Sequence, residues 1–179
     1  MEAYALTDIG QVRSMNQDYI YSSPERVGSL PNLFLVADGM GGHQAGDYAS
    51  RFAVENLVIY LNREGKGSPV MQLKTGIGIV NGLLYEESLL REELKGMGCT
   101  LVAGVGEDNL LYVANVGDSR LYLIHNNTIR QITKDHSFVE EMVSMGQMDR
   151  DSSEYREKKN IITRAVGHGH RQGCGAGLL

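Results

Sequence analysis

The chain has 179 residues, 42% hydrophobic and 22% charged, which fits one folded domain and excludes a wholly disordered chain. Seventeen Lys and Arg against 22 Asp and Glu give a net charge of −5, whereas a nucleic-acid-binding protein needs a basic face. The apolar runs, such as residues 33–37, are too short for a membrane span, and the first residues carry no secretory signal pattern. We therefore expect a cytoplasmic protein.

The first half of the chain predicts short strands followed by two helices. An apolar run ending at Asp38–Gly39 is typical of a buried strand that stops at a turn. Ser68 and Pro69 form an N-cap followed by proline at the first helical position. These signals place strands at 3–7, 18–22 and 33–37, and helices at 47–61 and 69–95.

From Cys99 onward the hydrophobic period changes to two, which predicts an antiparallel meander. Asn126–Asn127 is typical of a hairpin turn, and Gly146 ends a short helix that begins after Ser137. Strands and helices in separate blocks indicate an α+β layered fold. The predicted strands are 100–105, 110–116, 120–124 and 128–132, followed by a helix at 138–145 and a strand-like piece at 161–163.

Asp38–Gly39 is the strongest candidate for chemistry. A carboxylate at the end of a buried strand, beside a flexible backbone carbonyl, suits a hard divalent cation that takes oxygen ligands. A tight turn that starts with Asp is the alternative and, for this pattern alone, the commoner interpretation.

Three further clusters also have both a structural and a functional interpretation. Gly117–Asp118 is either a plain hairpin turn or a second acidic site. Residues 135–137 are either a helix cap alone or a functional cluster. Arg13 is either a solvated surface residue or a phosphate binder, because a planar guanidinium is the preferred partner of a phosphate.

Taken together and in order, these clusters resemble the bacterial metal-dependent protein serine/threonine phosphatases of the type 2C (PPM) kind. Each block is weak alone, whereas the complete ordered set is specific, and it covers residues 1–167. The matching blocks are residues 7–13 with 16–18, 37–43 with 45–46 and 49–50, 98–102, 114–120, 133–137 and 160–167.

The resemblance implies an antiparallel β-sandwich flanked by helix pairs, in four αββα layers. It also implies hydrolysis of phosphoserine and phosphothreonine in proteins by water activated on two Mn²⁺ or Mg²⁺ ions, with a third, weaker ion. The partners implied are phosphorylated proteins, the products of a cognate Ser/Thr kinase. From the net charge and the short apolar runs we expect no nucleic-acid partner and no membrane span.

The resemblance also implies a role for individual residues. Asp38 corresponds to the catalytic carboxylate that bridges the two core metals, and Gly39 to a backbone-carbonyl ligand. Arg13 corresponds to the arginine that holds the substrate phosphate. Asp18 corresponds to an acidic residue that supports metal-bound water, and Asp118 to a ligand of the third metal.

Some distant relatives place a general-acid histidine directly after Asp–Gly, where this chain has Met40. His43 is a weaker candidate for that role. Residues 136–159 correspond to a flap beside the active site. Cys99 lies in a predicted buried strand and is interpreted as an inert core thiol.

The chain departs from the family pattern after residue 167. The family's further metal-binding aspartates lie in later motifs, and no Asp or Glu follows Glu157 here. We therefore expect a catalytic domain at 1–167 without its C-terminal part, with turnover far below that of a full-length relative. A catalytically dead remnant or phosphoprotein-binding module is the alternative.

Residues 168–179 form an atypical Gly/His-rich tail. Read one nucleotide later, degenerate codons for this tail permit family-like Thr–Asp and Glu–Pro–Asp stretches, so we interpret it as translated out of frame. A metal-binding tail through His168, His170 and Cys174 is the alternative.

Overall fold

Strands and helices alternate in blocks along the chain. The computed structural model describes residues 1–42 and 44–168, together with the backbone of residues 177–178. The first block contains β1 (Asp18–Ser23), β2 (Leu33–Met40), α1 (Ala45–Arg63) and α2 (Pro69–Leu90), followed by a 3-10 turn (Glu92–Leu94). The second contains β3 (Gly98–Cys99), β4 (Leu101–Glu107), β5 (Leu110–Val116), β6 (Tyr122–His125) and β7 (Thr128–Gln131). Next come α3 (Phe138–Ser144), α4 (Ser153–Lys158) and β8 (Gly177–Leu178).

The main sheet is antiparallel and has the strand order β1–β2–β4–β5–β8, with the short β3 paired to the end of β2. Leu33, Leu35 and Ala37 alternate along β2 toward α1 and are fully buried. Val36 points to the other face and is 44% exposed. The core therefore lies between the sheet and α1 with α2, and Asp38 lies on the opposite, open face.

Local signals in the sequence start α2 and allow it to pack closely against α1. The Ser68 hydroxyl accepts a hydrogen bond from the Met71 N–H, and Pro69 follows it, as the sequence predicts. Gly76 lies where a Cβ would come within 2.6 Å of Leu57, so glycine here permits close approach of α1 and α2. No described helix has the length and apolarity that crossing a membrane requires.

The β6–β7 hairpin confirms the predicted Asn126–Asn127 turn. Both residues have positive φ, 48° and 58°, which asparagine tolerates better than most residues. The hairpin forms a separate two-stranded sheet instead of extending the main one. The predicted continuous meander is therefore wrong after β5, because the chain leaves the sheet at the Gly117–Asp118 turn.

Four other predicted boundaries need correction. Residues 3–7 form no strand, since no described strand pairs with them, and β2 runs past Asp38 because its end pairs with β3. The second helix ends at Leu90 instead of residue 95, and the charged segment contains α4, which the sequence did not predict. Residues 161–163 contribute one isolated bridge, between Ser137 and Ile162.

The predicted α+β class is confirmed by the antiparallel sheet and the helix pair on one face. Within the described residues, the other elements are the β6–β7 hairpin and the two short helices α3 and α4. Most of the Gly/His tail, including His170 and Cys174, lies outside the described residues, and His168 is exposed. The boundary at residue 167 and the out-of-frame tail stay predictions.

Candidate active site

Asp18 and Asp38 form a pair on the open face of the sheet. They are directly opposite each other in the antiparallel β1–β2 register, so both side chains point to the same side. Partial burial raises the pKa of Asp38, and the charges of Asp18 and Asp118 raise it further. The nearby Arg13 guanidinium acts in the opposite direction, while hydrogen bonding with Asp18 adds to the rise in pKa. The pair thus concentrates negative charge at one point.

Gly39 fixes the backbone next to Asp38, because it packs closely against α1. Its N–H donates to the Gln17 carbonyl at 2.9 Å, and a Cβ on Gly39 would lie 1.9 Å from the Gly46 carbonyl oxygen. The Ser50 hydroxyl donates to the same Gln17 carbonyl at 2.7 Å. Only glycine fits at position 39, and this close approach fixes where Asp38 emerges.

The Gly117–Asp118 turn carries the third carboxylate. Gly117 has φ of +101°, and its N–H donates to Nδ1 of His136 at 3.1 Å. The His136 N–H donates back to the Gly117 carbonyl at 2.9 Å. Burial raises the pKa of Asp118, with a contribution from Asp135 in the same direction and opposing effects of its own backbone hydrogen bond and Arg120. The ionised form of Asp118 is thus disfavoured, and the turn that carries it is hydrogen-bonded in both directions to His136.

A half-buried ion pair lies next to this turn. Arg120 Nε donates to both carboxylate oxygens of Asp135 at 3.0 Å, and Arg120 Nη2 donates to one of them at 2.6 Å. Asp135 is only 8% exposed in its side chain, against 42% for Arg120. This bidentate contact orders the segment after Asp118. Arg120 and Asp135 are 15 positions apart, so the sequence motifs did not reveal the pair.

The structure brings four of the predicted residues together: Asp18, Asp38 and Asp118, with Arg13 close enough to affect the Asp38 carboxyl. The carboxylate oxygens of the three aspartates suit a hard divalent ion. However, within the described residues no group of three His, Cys, Asp or Glu side chains is arranged to hold a metal ion. The donor set therefore fits a divalent cation only in part. His43, the weaker candidate, lies outside the described residues.

Cys99 takes no part in this chemistry. It is fully buried in β3, and burial raises the pKa of its thiol to about 12, with Asp38 adding to the effect. A thiol in this state is protonated and unreactive. The interpretation of Cys99 as an inert core residue is consistent with both observations.

Within the predicted flap segment, residues 136–159, Glu140 accepts hydrogen bonds from two other side chains. Arg150 donates through both of its terminal nitrogens to the Glu140 carboxylate, at 2.6 and 2.7 Å, and the Tyr155 hydroxyl donates to it at 3.2 Å. Asp118, Tyr155 and Lys159 line one small cavity. The segment therefore lies beside Asp118, and Glu140 is a residue that the sequence did not single out.

Comparison with known proteins finds a matching family model and relatives of similar sequence. A family model described as protein phosphatase 2C matches residues 10–142. The serine/threonine phosphatase stp of Listeria welshimeri is 38% identical over 175 residues, which cover 93% of this chain and 67% of the relative.

Two solved structures extend the comparison to the fold. Stp1, a serine/threonine phosphatase from Staphylococcus aureus, superposes with a TM-score of 0.85 at 35% identity, covering 97% of this chain and 68% of Stp1. The catalytic domain of the serine/threonine protein phosphatase PstP, in complex with 2 manganese ions, superposes with a TM-score of 0.74 at 32% identity. The match covers 95% of this chain and 67% of the PstP chain.

Proposed function

The chain belongs to the protein phosphatase 2C family, whose members are metal-dependent serine/threonine phosphatases, and from that membership we propose that it hydrolyses phosphoserine and phosphothreonine in proteins at the Asp18–Asp38 pair. The observation that carries the site assignment is the direct cross-strand pairing of these two carboxylates on an open face. Like charges placed opposite each other destabilise a sheet. A bound cation would offset the repulsion between the two carboxylates.

Asp38, the Gly39 carbonyl and Asp118 are the proposed metal-holding groups of this chain, with Asp18 beside them. Carboxylate and carbonyl oxygens suit Mn²⁺ and Mg²⁺ alike, and we propose Mn²⁺ because the PstP relative holds manganese. The bound ions would supply an activated water and charge stabilisation for an in-line displacement at phosphorus.

The remaining steps belong to side chains of this chain. Arg13 is exposed near the Asp38 carboxyl, where its guanidinium would hold two oxygens of a substrate phosphate and orient the phosphorus. Asp18, opposite Asp38, would accept hydrogen bonds from water and so orient it toward the phosphorus. The packed backbone at Gly39 keeps these groups in place without reorganisation.

The test is phosphate release from a phosphothreonine peptide by the purified chain, with Mn²⁺ and with EDTA. We expect release that requires Mn²⁺ and that Asp38→Asn lowers by at least about a hundredfold, as loss of a central electrostatic group does. Asp108→Asn is the matched control, because Asp108 is an exposed aspartate in the β4–β5 turn. Equal rates for Asp38→Asn and Asp108→Asn would refute the site assignment.

One observation favours a second function. Because the described residues contain no three-ligand metal cluster, the chain has the groups for binding a phosphate but an incomplete set for turnover. The second candidate is therefore a phosphoprotein-binding module that uses Arg13. Binding of the phosphothreonine peptide in EDTA that Arg13→Ala abolishes, without phosphate release in Mn²⁺, would favour it.

We also propose that the chain acts in the cytoplasm, on proteins phosphorylated by a Ser/Thr kinase. The support is the family, since its bacterial member stp of Listeria welshimeri is a serine/threonine phosphatase. Loss of the gene would then raise the phosphothreonine content of cytoplasmic proteins.

A further inference from the structure

Thr100 connects the two acidic elements of the site. It follows β3 and is 1% exposed, so its hydroxyl has no access to bulk water. The Asp38 N–H donates to Thr100 Oγ1 at 3.0 Å, and the Thr100 N–H donates to the Asp38 carbonyl at 2.8 Å. The backbone that carries Asp38 is therefore bonded to Thr100 in both directions.

The same hydroxyl reaches the turn that carries Asp118. Thr100 Oγ1 lies 2.6 Å from Oγ of Ser119, the residue directly after Asp118. A hydroxyl can accept and donate at once, so Thr100 can accept from Asp38 while it shares a proton with Ser119. The methyl group of Thr100 lies where a Cβ on Gly117 would approach to 2.6 Å, which places it against the other side of the turn.

From these contacts we propose that Thr100 is a positioning residue that sets the separation between the Asp38 and Asp118 carboxylates. The proposal rests on the proposed function, in which both carboxylates hold Mn²⁺. Asp118 is close enough to Asp38 to affect its carboxyl, so a shift of the turn would change the charge that a cation meets. Thr100 supplies a direct link between the backbone at Asp38 and the turn that carries Asp118.

Two substitutions separate the hydroxyl from the shape of the side chain. Thr100→Val keeps the branched shape and removes the link, whereas Thr100→Ser keeps the hydroxyl and removes the methyl group. We expect Thr100→Val to weaken Mn²⁺ binding about tenfold, the effect typical of losing a group that orients a ligand. Thr100→Ser should bind Mn²⁺ as the wild type does. Thr75→Val, on the exposed side of α2, is the matched control.

A double-mutant cycle distinguishes positioning from general destabilisation. If Thr100 acts through Asp118, then Thr100→Val should change Mn²⁺ affinity little in a chain that already carries Asp118→Asn. Calorimetric titration of the folded chains measures all four affinities. An equal loss in both backgrounds, or no loss in Thr100→Val alone, would overturn the proposal. If Thr100→Val does not fold, Ser119→Ala removes the other half of the same contact.

Relaxation-dispersion NMR of the metal-free chain provides a second, independent measurement. We expect microsecond-to-millisecond exchange at the Asp118 and Ser119 amides in Thr100→Val that is absent from the wild type and Thr100→Ser. Identical dispersion in all three chains would overturn the proposal. If the wild type binds no Mn²⁺, the proposed metal site fails, and the dispersion comparison still decides the role of Thr100.

Discussion

Asp18 and Asp38 stand directly opposite each other across the β1–β2 pair, with their side chains on the open face of the sheet. Nothing in the packing requires two carboxylates there, and partial burial together with the charge of Asp18 raises the pKa of Asp38. Such a pair lowers the stability of the sheet, and we propose that a bound cation offsets this loss. The predictions below test this relationship and the contacts that support it.

Asp38→Asn should stabilise the metal-free chain. At pH 7 the substitution removes the repulsion between Asp38 and Asp18, and we expect a gain of less than about 1 kcal/mol because solvent screens the exposed side of the pair. The pKa of Asp38 is higher in the folded state, so the wild-type penalty is present above that pKa and is lost as the pH falls through it. Urea unfolding in EDTA at pH 7 and pH 4 measures this. A loss of stability in Asp38→Asn at pH 7 would contradict the repulsion.

Gly39→Ala should strongly destabilise the chain, whereas Gly42→Ala should have little effect. A Cβ at position 39 would lie 1.9 Å from the Gly46 carbonyl oxygen, whereas one at position 42 has nothing within 4 Å. We expect a loss of about 3 kcal/mol or more at position 39, because the backbone of α1 would have to move. Urea unfolding of the two variants measures the difference, and similar stabilities would show that this packing is wrong.

Arg120→Ala should cost about 3 kcal/mol, at the lower end for breaking a buried ion pair because Arg120 is 42% exposed. The loss arises because Asp135 would remain buried without its guanidinium partner. Lys95→Ala provides the comparison, since the Lys95–Glu92 pair is exposed and its loss should cost less than about 1 kcal/mol. Equal costs in thermal or urea unfolding would mean that Asp135 is hydrated.

His136 should make stability fall in mild acid. Burial lowers its pKa, with Arg164 acting in the same direction, so the unfolded chain binds the proton more readily. The contribution of neutral His136 to the free energy of unfolding is therefore complete above about pH 6.5 and is lost as the pH falls below that value. His136→Asn keeps an acceptor for the Gly117 N–H but does not titrate. The difference in unfolding free energy between wild type and His136→Asn should thus change between pH 7.5 and pH 5.5, and a constant difference would contradict it.

The sequence predicted the elements whose signals are local. The Ser68 cap, the Asn126–Asn127 turn and the buried apolar run of β2 each need only a few neighbouring residues, and each is present. The end of β2 was wrong because its pairing with β3 depends on residues far along the chain. Helix α4 was missed because its charged sequence has no apolar periodicity.

The site was predictable to a similar extent. The acidic motifs singled out Asp18, Asp38 and Asp118, and the register places the first two opposite each other, while their roles stay predictions. The contacts that hold them are not local: the Arg120–Asp135 pair spans the hairpin, and the Thr100–Ser119 contact joins residues 19 positions apart in the chain. Short motifs identify reactive side chains, whereas the residues that hold them become visible only in the folded chain.

The most direct test of a cation site at Asp18 and Asp38 is calorimetric titration of the metal-free chain with Mn²⁺. We expect saturable binding by the wild type and by Asp108→Asn, and none by Asp38→Asn. Binding by Asp38→Asn with the affinity of the wild type would contradict the assignment, because the cation would then be held elsewhere.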